Sequence, residues 1–313
     1  MRKESILSFG SIYLDINCPN FPFGDGLLPE TETVGKGYQA ELGGSAVNAA
    51  KIMAALGLPA TFIGKVGKDV FGQEVSKLLE KRGIKSALIM SPEAQTNLGL
   101  NFISSDGKNI QAVVGDANKS LTPEEVQEEI KKIIDDVEYL YLGGFLKLKK
   151  FQQVILELAQ EAKEAGTKII LDHGRVTNDT STEQLQLVKK LVALADYYFP
   201  SEDELLAVWQ AKNVEAAIQT ACAQTQAVIA VKMAEKGAIG CETKGKPITV
   251  PAFKVEPINT VGAGDSFNAG FIRAQTLGYD LEQSLKFANA TAAVKISQTN
   301  LPSLESVKEL MSS

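Results

Sequence analysis

Asn259-Thr260-Val261-Gly262-Ala263-Gly264-Asp265 runs directly into Ser266-Phe267-Asn268-Ala269-Gly270. Two glycines lead to an aspartate, and an apolar, small-residue helix begins there. Glycine lets backbone approach a ligand closely because no side chain stands in the way. A helix N-terminus offers free N–H groups and a partial positive charge, so it suits an anion. Asp265 at that point has two readings: it caps the helix, or it serves as a general base beside charge that the amides of Gly262, Ala263 and Gly264 stabilise.

Working outward, Ile248-Thr249-Val250 and Phe253-Lys254-Val255 read as short extended segments before the glycine stretch. Ala227 to Lys232 reads as a strand that leads into Met233-Ala234-Glu235-Lys236-Gly237. Lys232 is either a solvated lysine or a phosphate contact. On the other side, Gly278 breaks the chain and Leu281 to Ser297 forms a long helix rich in alanine that includes Asn289. Those small side chains fit either tight helix packing or the approach of something flat.

Strand and helix alternate through the preceding sequence. Val137–Leu142, Lys168–Leu171 and Tyr197–Phe199 read as strands; Lys149–Ala165 and Thr182–Leu194 read as helices. Thr122-Pro123-Glu124-Glu125 is a capping box with proline at the first helical position, and Ser201 with Glu204 repeats the box. Asp172 and Arg175 follow one of these strands, where an arginine would suit a carboxylate or a phosphate on a sugar.

The N-terminal third carries a second pattern. Residues 5–12 read as a buried strand, and Asp15 follows at the end where parallel sheets bind ligands. Gly43-Gly44 opens a helix through Asn48, a polar amide in an apolar helix that needs a partner. Thr61–Gly67 is a strand and Asp69–Arg82 a helix, with Val70, Phe71, Val75, Leu78 and Leu79 as its apolar residues. Glu32–Leu42, Asn97–Ile103 and Asn109–Gly115 read as strands of a small separate sheet, the last two joined at Asp106-Gly107. Pairing the free edges of these strands between two copies would hide them, which makes a homodimer an expectation.

Composition limits the function. The chain has 313 residues, 44% hydrophobic and 22% charged, with net charge −6 and no basic run, which argues against nucleic acid and anionic membrane. Any phosphate site must therefore be built locally. Cys18, Cys222 and Cys241 are sparse and far apart, as expected of a cytoplasmic protein. His173 is the sole histidine, so a multi-histidine metal site is excluded. No G-x-x-x-x-G-K-[ST] string occurs, and the first strand is not followed by G-x-G-x-x-G.

The stretch 259–265 resembles the C-terminal signature D-T-x-G-A-G-D of the ribokinase-like (PfkB) carbohydrate kinases, with Asn259 in place of the first Asp. Gly43-Gly44 with Asn48 and Ala50 matches the family's G-G-x-x-x-N-x-A. Val231 to Gly237 is similar to its nucleotide turn V-x-L-G-x-x-G, with Ala234 in place of the first glycine; Glu204 matches its N-x-x-E element, from which Ser201 departs. The resemblance implies an α/β fold: one ribokinase-like three-layer α/β/α sandwich over 1–313, with a mostly parallel central sheet. Strands inserted at about 13–42 and 96–115 would form a small β-sheet lid.

It implies ATP-dependent phosphorylation of a hydroxyl on a small sugar or sugar derivative, with Asp265 as base. Asp15, Gly43, Gly44 and Asn48 would bind the substrate. Lys232, Gly237, Thr260, Gly262, Gly264 and Asn289 would serve ATP, and Glu204 would help hold Mg²⁺. Family members often use K⁺ near the first Asp of the signature; uncharged Asn259 gives no ground to assume it. Tyr139–Phe145 also resembles the adenosine-kinase-like branch, so a nucleoside is the alternative acceptor. A non-catalytic relative that binds a sugar or nucleotide is a third reading.

Overall fold

The computed structural model describes residues 3–22, 32–105, 108–147 and 152–312. Its strands and helices, in chain order, are β1 (Lys3–Phe9), β2 (Tyr13–Cys18), β3 (Gln39–Gly43), α1 (Ser45–Ala55), β4 (Ala60–Gly67), α2 (Val70–Lys81), β5 (Ile84–Ser91), β6 (Leu98–Ile103) and β7 (Asn109–Val114). There follow α3 (Ala117–Ser120), α4 (Pro123–Lys131), β8 (Val137–Gly143), α5 (Gln152–Glu164), β9 (Lys168–Asp172), α6 (Thr182–Leu194), β10 (Tyr197–Tyr198), α7 (Glu202–Trp209), α8 (Val214–Gln224) and β11 (Val228–Lys232). β12 (Ala238–Cys241), β13 (Ile248–Val250), α9 (Ala263–Thr276), α10 (Leu281–Ser297) and α11 (Leu304–Ser312) complete the order.

Nine strands form the main sheet in the order β13-β12-β11-β10-β9-β8-β1-β4-β5. Pairing is parallel from β5 across to β11, and β12 and β13 are antiparallel. A strand covered on both faces must be apolar on both, and all eight residues of β4 are buried. Alternate residues then feed two cores. Ile6, Tyr141, Ile170 and Phe199 pack with α1, α9 and α10; Leu7, Leu140, Leu171 and Tyr198 pack with α5, α6, α7 and α8. These are the two helical layers of the sandwich. No helix of the described residues is long and apolar enough to cross a membrane.

The second sheet has four strands in the order β3-β2-β6-β7, with β2–β6 parallel and the other pairs antiparallel. Buried Asn118 holds its junction with the main sheet, because its amide accepts from Ile12 N at 3.0 Å and donates to Ile12 O at 2.9 Å. Asn97 in turn accepts from Asn118 N at 2.8 Å. Asp69 caps α2 and accepts from both N and Oγ1 of Thr96, at 2.9 and 2.7 Å, so the helix is tied to the base of the same sheet.

Several expectations are corrected. β1 ends at Phe9 rather than at residue 12, because Ile12 turns to meet Asn118. Asp15 accordingly lies inside β2 of the small sheet rather than past the end of a main-sheet strand. In the Glu32–Leu42 stretch, strand begins only at Gln39. Val70 and Phe71 face solvent, because α2 buries the stripe of Val75 and Leu79. The sequence reading omits β5, an edge strand whose Lys85 and Ser86 are exposed and blur the apolar pattern. It also omits α8 and α11. The Asp106-Gly107 turn and the start of the Lys149–Ala165 helix lie outside the described residues, as do Gly24, Gly26 and Pro29.

The turn after β11 carries local strain. Ala234 has φ 50, in the left-handed region that disfavours a Cβ. Gly237 has φ 101, and a Cβ there would come within 2.2 Å of Val250 O. Replacing Ala234 by glycine relieves the first strain, while added freedom in the unfolded chain offsets part of the gain. We expect Ala234→Gly to stabilise the protein by about 0.5–1 kcal/mol, measured by urea denaturation. Destabilisation would show that the alanine methyl makes a contact worth more than the strain.

Candidate active site

The C-terminal ends of β1, β8, β9 and β11 and the N-termini of α1, α7 and α9 meet around one cleft of about 270 Å³. This is the end of a parallel sheet where ligands are expected. Gly44, Ser45, Asp172, Lys232, Gly264 and Asp265 stand in its wall.

Gly262 caps α9 with φ 81 and makes no side-chain bond there. Asp265 is three residues on, in the first turn, and does not cap the helix. Its Oδ1 accepts instead from Ser45 Oγ at 2.6 Å, across the cleft. Asn48 also favours the ionised form of the carboxyl. Burial raises the Asp265 pKa, to about 6, with Asp172 adding to the rise and Ser45, Lys232 and Asn48 opposing it. The carboxyl is therefore ionised at pH 7 yet far more basic than an ordinary aspartate.

The amides at the glycine stretch divide. Ala263 N–H closes a turn onto Thr260 O at 3.2 Å, so it is not free for an anion as expected. The N–H groups of Gly264 and Asp265 have no acceptor among the described residues. They are first-turn donors that a helix leaves over. Lys232 lies against them, with its Nζ 3.7 Å from where a Cβ on Gly264 would be.

Lys232 is neither solvated nor unpaired. Its ammonium sits 2.8 Å from Asp172 Oδ2, with side chains only 15% and 5% exposed. Asp172 also accepts from Asn268 Nδ2 at 2.5 Å and from Gly174 N at 3.0 Å. Burial disfavours its charge, but Lys232 and Asn268 outweigh that and hold its pKa below the usual carboxylate value. Asp172 thus belongs to the framework, and its carboxylate is already committed. Arg175 is exposed on the same wall. His173 is buried and holds Tyr198 OH at 3.0 Å and Gly174 O at 2.7 Å, a structural role.

The double glycine has a steric cause. A Cβ on Gly44 would come within 2.3 Å of Ser11 O, and its φ is 116. A Cβ on Gly43 would overlap the Asp15 carboxylate at 2.0 Å, and one on Gly99 would do the same at 2.1 Å. Asp15 is therefore slotted between two glycine backbones, where burial raises its pKa. Lys51 lowers it, and Glu41 raises it further. Gly43, Asp15 and Asn48 stand behind the cleft wall rather than in it.

Glu204 reaches the wall from α7 while its Oε2 accepts from Ser201 N at 2.7 Å, so capping and cleft readings hold together. Among the described residues no three His, Cys, Asp or Glu side chains converge as a metal site. Gly237 and Asn289 are not in the cleft. They meet on one segment, where Asn289 Nδ2 donates to Val250 O and Pro251 O at 3.1 Å and Gly237 packs beneath. Thr260 is exposed beside the glycine turn.

The sequence reading passed over Ser45, Tyr141 and Asn268. Asn268 Nδ2 donates to Tyr141 OH at 3.0 Å as well as to Asp172. The available signal was spacing: Asn268 follows Asp265 by three residues, on the same face of an otherwise apolar helix.

A profile described as pfkB family carbohydrate kinase matches residues 3–306. The ribokinase of Bacillus subtilis is 28% identical, over 90% of this chain and 92% of that protein. The 5-dehydro-2-deoxygluconokinase of the same organism is 25% identical, over 99% and 96%. Arabidopsis thaliana ribokinase, solved with ribose and ATP, superposes with a TM-score of 0.80 at 23% identity, over 99% of both chains. The two cores, the cleft at the strand ends and this full-length match agree, and the chain belongs to the pfkB family of carbohydrate kinases.

Proposed function

We propose that the protein transfers the γ-phosphoryl group of ATP to a hydroxyl of a small sugar or sugar derivative, with Asp265 as general base. The observation that carries this is the juxtaposition in one cleft of a basic carboxylate, two helix-terminal amides with no acceptor among the described residues, and a largely enclosed lysine. An alcohol is far too weak an acid to ionise at neutral pH. Asp265 takes its proton as the oxygen attacks phosphorus and the bond to ADP breaks. Phosphoryl transfer otherwise depends on positioning and on stabilising charge. The Gly264 and Asp265 amides and Lys232 would do that, and such donors are each worth about 2.7–4 kcal/mol in a barrier.

Mg²⁺ would screen the ATP phosphates, and Glu204, which lines the cleft, would help hold it. Lacking a converging protein ligand set, the ion would take most of its ligands from phosphate and water, which Mg²⁺ favours. Gly237, Thr260, Asn289 and the α9 N-terminus would form the nucleotide side. Asp15, Gly44 and Asn48 would form the substrate side, with the four-stranded sheet as a lid that excludes water. Arg175 at the mouth favours an acceptor that carries a carboxylate or phosphate, in keeping with the gluconate derivative in one relative's name. Exposed Val113 and Val114 on β7 would meet a second copy across the lid.

With an accepting substrate drawn from sugars, sugar acids, sugar phosphates and nucleosides, kcat/KM should fall as pH drops through about 6, because protonated Asp265 cannot accept a proton. Asp265→Asn should lose ~10²–10⁴-fold in turnover. A fully active variant would remove Asp265 from the base role.

The same variant should be more stable at pH 7.5. The folded pKa is raised, so ionised Asp265 destabilises the folded state at neutral pH, and the penalty vanishes where the carboxyl is protonated in both states. Allowing for partial solvent screening and lost hydrogen bonds, the gain should be about 1 kcal/mol at pH 7.5 and nil below about pH 3, read from melting curves.

Lys232→Met should cost about 3–5 kcal/mol, because it leaves Asp172 buried without its cation. Adding Asp172→Asn should restore most of that stability in urea titrations but none of the turnover. Restored turnover in the double variant would contradict a phosphate role for Lys232.

A further inference from the structure

Ser45 stands at the first helical position of α1, where a serine ordinarily has nothing to cap because Gly44 already occupies the N-cap. Its hydroxyl makes no capping bond. It crosses the cleft and donates to Asp265 Oδ1 at 2.6 Å. Tyr141 is fully buried in β8 beside Ser45, and Ser45 offsets part of the rise that burial imposes on its phenol. Tyr141 in turn accepts from Asn268 Nδ2 at 3.0 Å. Tyr141, held by Asn268, thus stands behind Ser45, and the Ser45 hydroxyl is the group that reaches Asp265.

We propose that Ser45, backed by Tyr141, is a positioning residue for Asp265, fixing Oδ1 so that the remaining lone pairs of the carboxylate face the acceptor hydroxyl. A carboxylate on a free rotor would present either oxygen; one pinned by a short hydrogen bond presents one face. Gly44 makes the geometry attainable, because its φ of 116 turns the chain so that α1 starts beside the cleft. The Ser45 bond is also the largest of the effects that oppose burial at Asp265. Among the surrounding charges, Asp172 from β9 raises the proton affinity of Asp265 and Lys232 from β11 lowers it, while Lys51 faces it from α1. Tyr141, His173, Arg175 and Glu204 complete the ionisable wall.

The inference rests on Asp265 being the base, and the test separates the two. The pH dependence of kcat/KM is measured with ATP and an accepting substrate for the wild type, Ser45→Ala, Ser45→Thr, Tyr141→Phe and Asp265→Asn. Ser45→Ala should move the acid limb upward by about half to one pH unit. Its kcat at pH 7 should fall several-fold with KM nearly unchanged, because the base is less well aimed and less ionised. Ser45→Thr, which keeps the hydroxyl, should hold the wild-type midpoint. Tyr141→Phe should move it the same way by less, and decides the matter if Ser45→Ala does not fold. A midpoint unmoved in Ser45→Ala, or in Tyr141→Phe where that variant decides, overturns the proposal, as does a Ser45→Thr profile identical to that of a shifted Ser45→Ala. Full activity in Asp265→Asn overturns the base assignment itself.

Discussion

The ion pair between Lys232 and Asp172 is the constraint on which the site depends. The cleft holds a lysine beside the carboxyl of Asp265, in a protein that is acidic as a whole. Burying an ammonium without a partner is costly, so Asp172 anchors Lys232 at 2.8 Å beside the α9 N-terminus. Asn268 and Gly174 satisfy the rest of the Asp172 carboxylate. That leaves Asp265 as the carboxyl whose charge is incompletely compensated, and its raised pKa follows. Two aspartates in one cleft are thus separated in character by their partners, Asp172 as framework and Asp265 as the proposed reactive group.

The sheet brings these groups together. Asp172 ends β9, Lys232 ends β11 and Tyr141 lies near the end of β8, so one edge of the parallel sheet supplies three of them. Helices α1 and α9 pack on one face and deliver Ser45 and Asp265 from their first turns. The local cost is borne in apolar packing that surrounds these turns: Ala46, Val47, Ala49 and Ala50 of α1 are all buried, as are Ser266 to Phe271 of α9. A site whose carboxyl is held in an unfavourable protonation environment needs such support.

Much of this was legible in the sequence because local chemistry and tertiary structure agree. α6 and α10 begin and end where their caps and breaks put them. The box at Thr122 and the one at Ser201 both form. The glycine strings marked the cleft because glycine was required by contact, with Gly43 under Asp15 and Gly44 under Ser11. Where tertiary context overrides local pattern, the reading fails. β5 is a sheet edge, so its apolar signal is diluted by exposed Lys85 and Ser86. Ser45 looked like a filler position in a degenerate string, and its partner lies 220 residues away. Asp172 looked like a ligand for substrate because its cation, Lys232, lies 60 residues on.

The most direct test of the account is to follow the phosphate itself. The protein is incubated with Mg²⁺ and ATP carrying ¹⁸O in its γ-phosphoryl group, together with neutral sugars, sugar acids, sugar phosphates and nucleosides, and the products are resolved by mass spectrometry. Labelled phosphate on a hydroxyl of one acceptor, with little labelled inorganic phosphate, is the predicted result. Labelled inorganic phosphate alone, or unreacted ATP that the protein nevertheless binds, would contradict it.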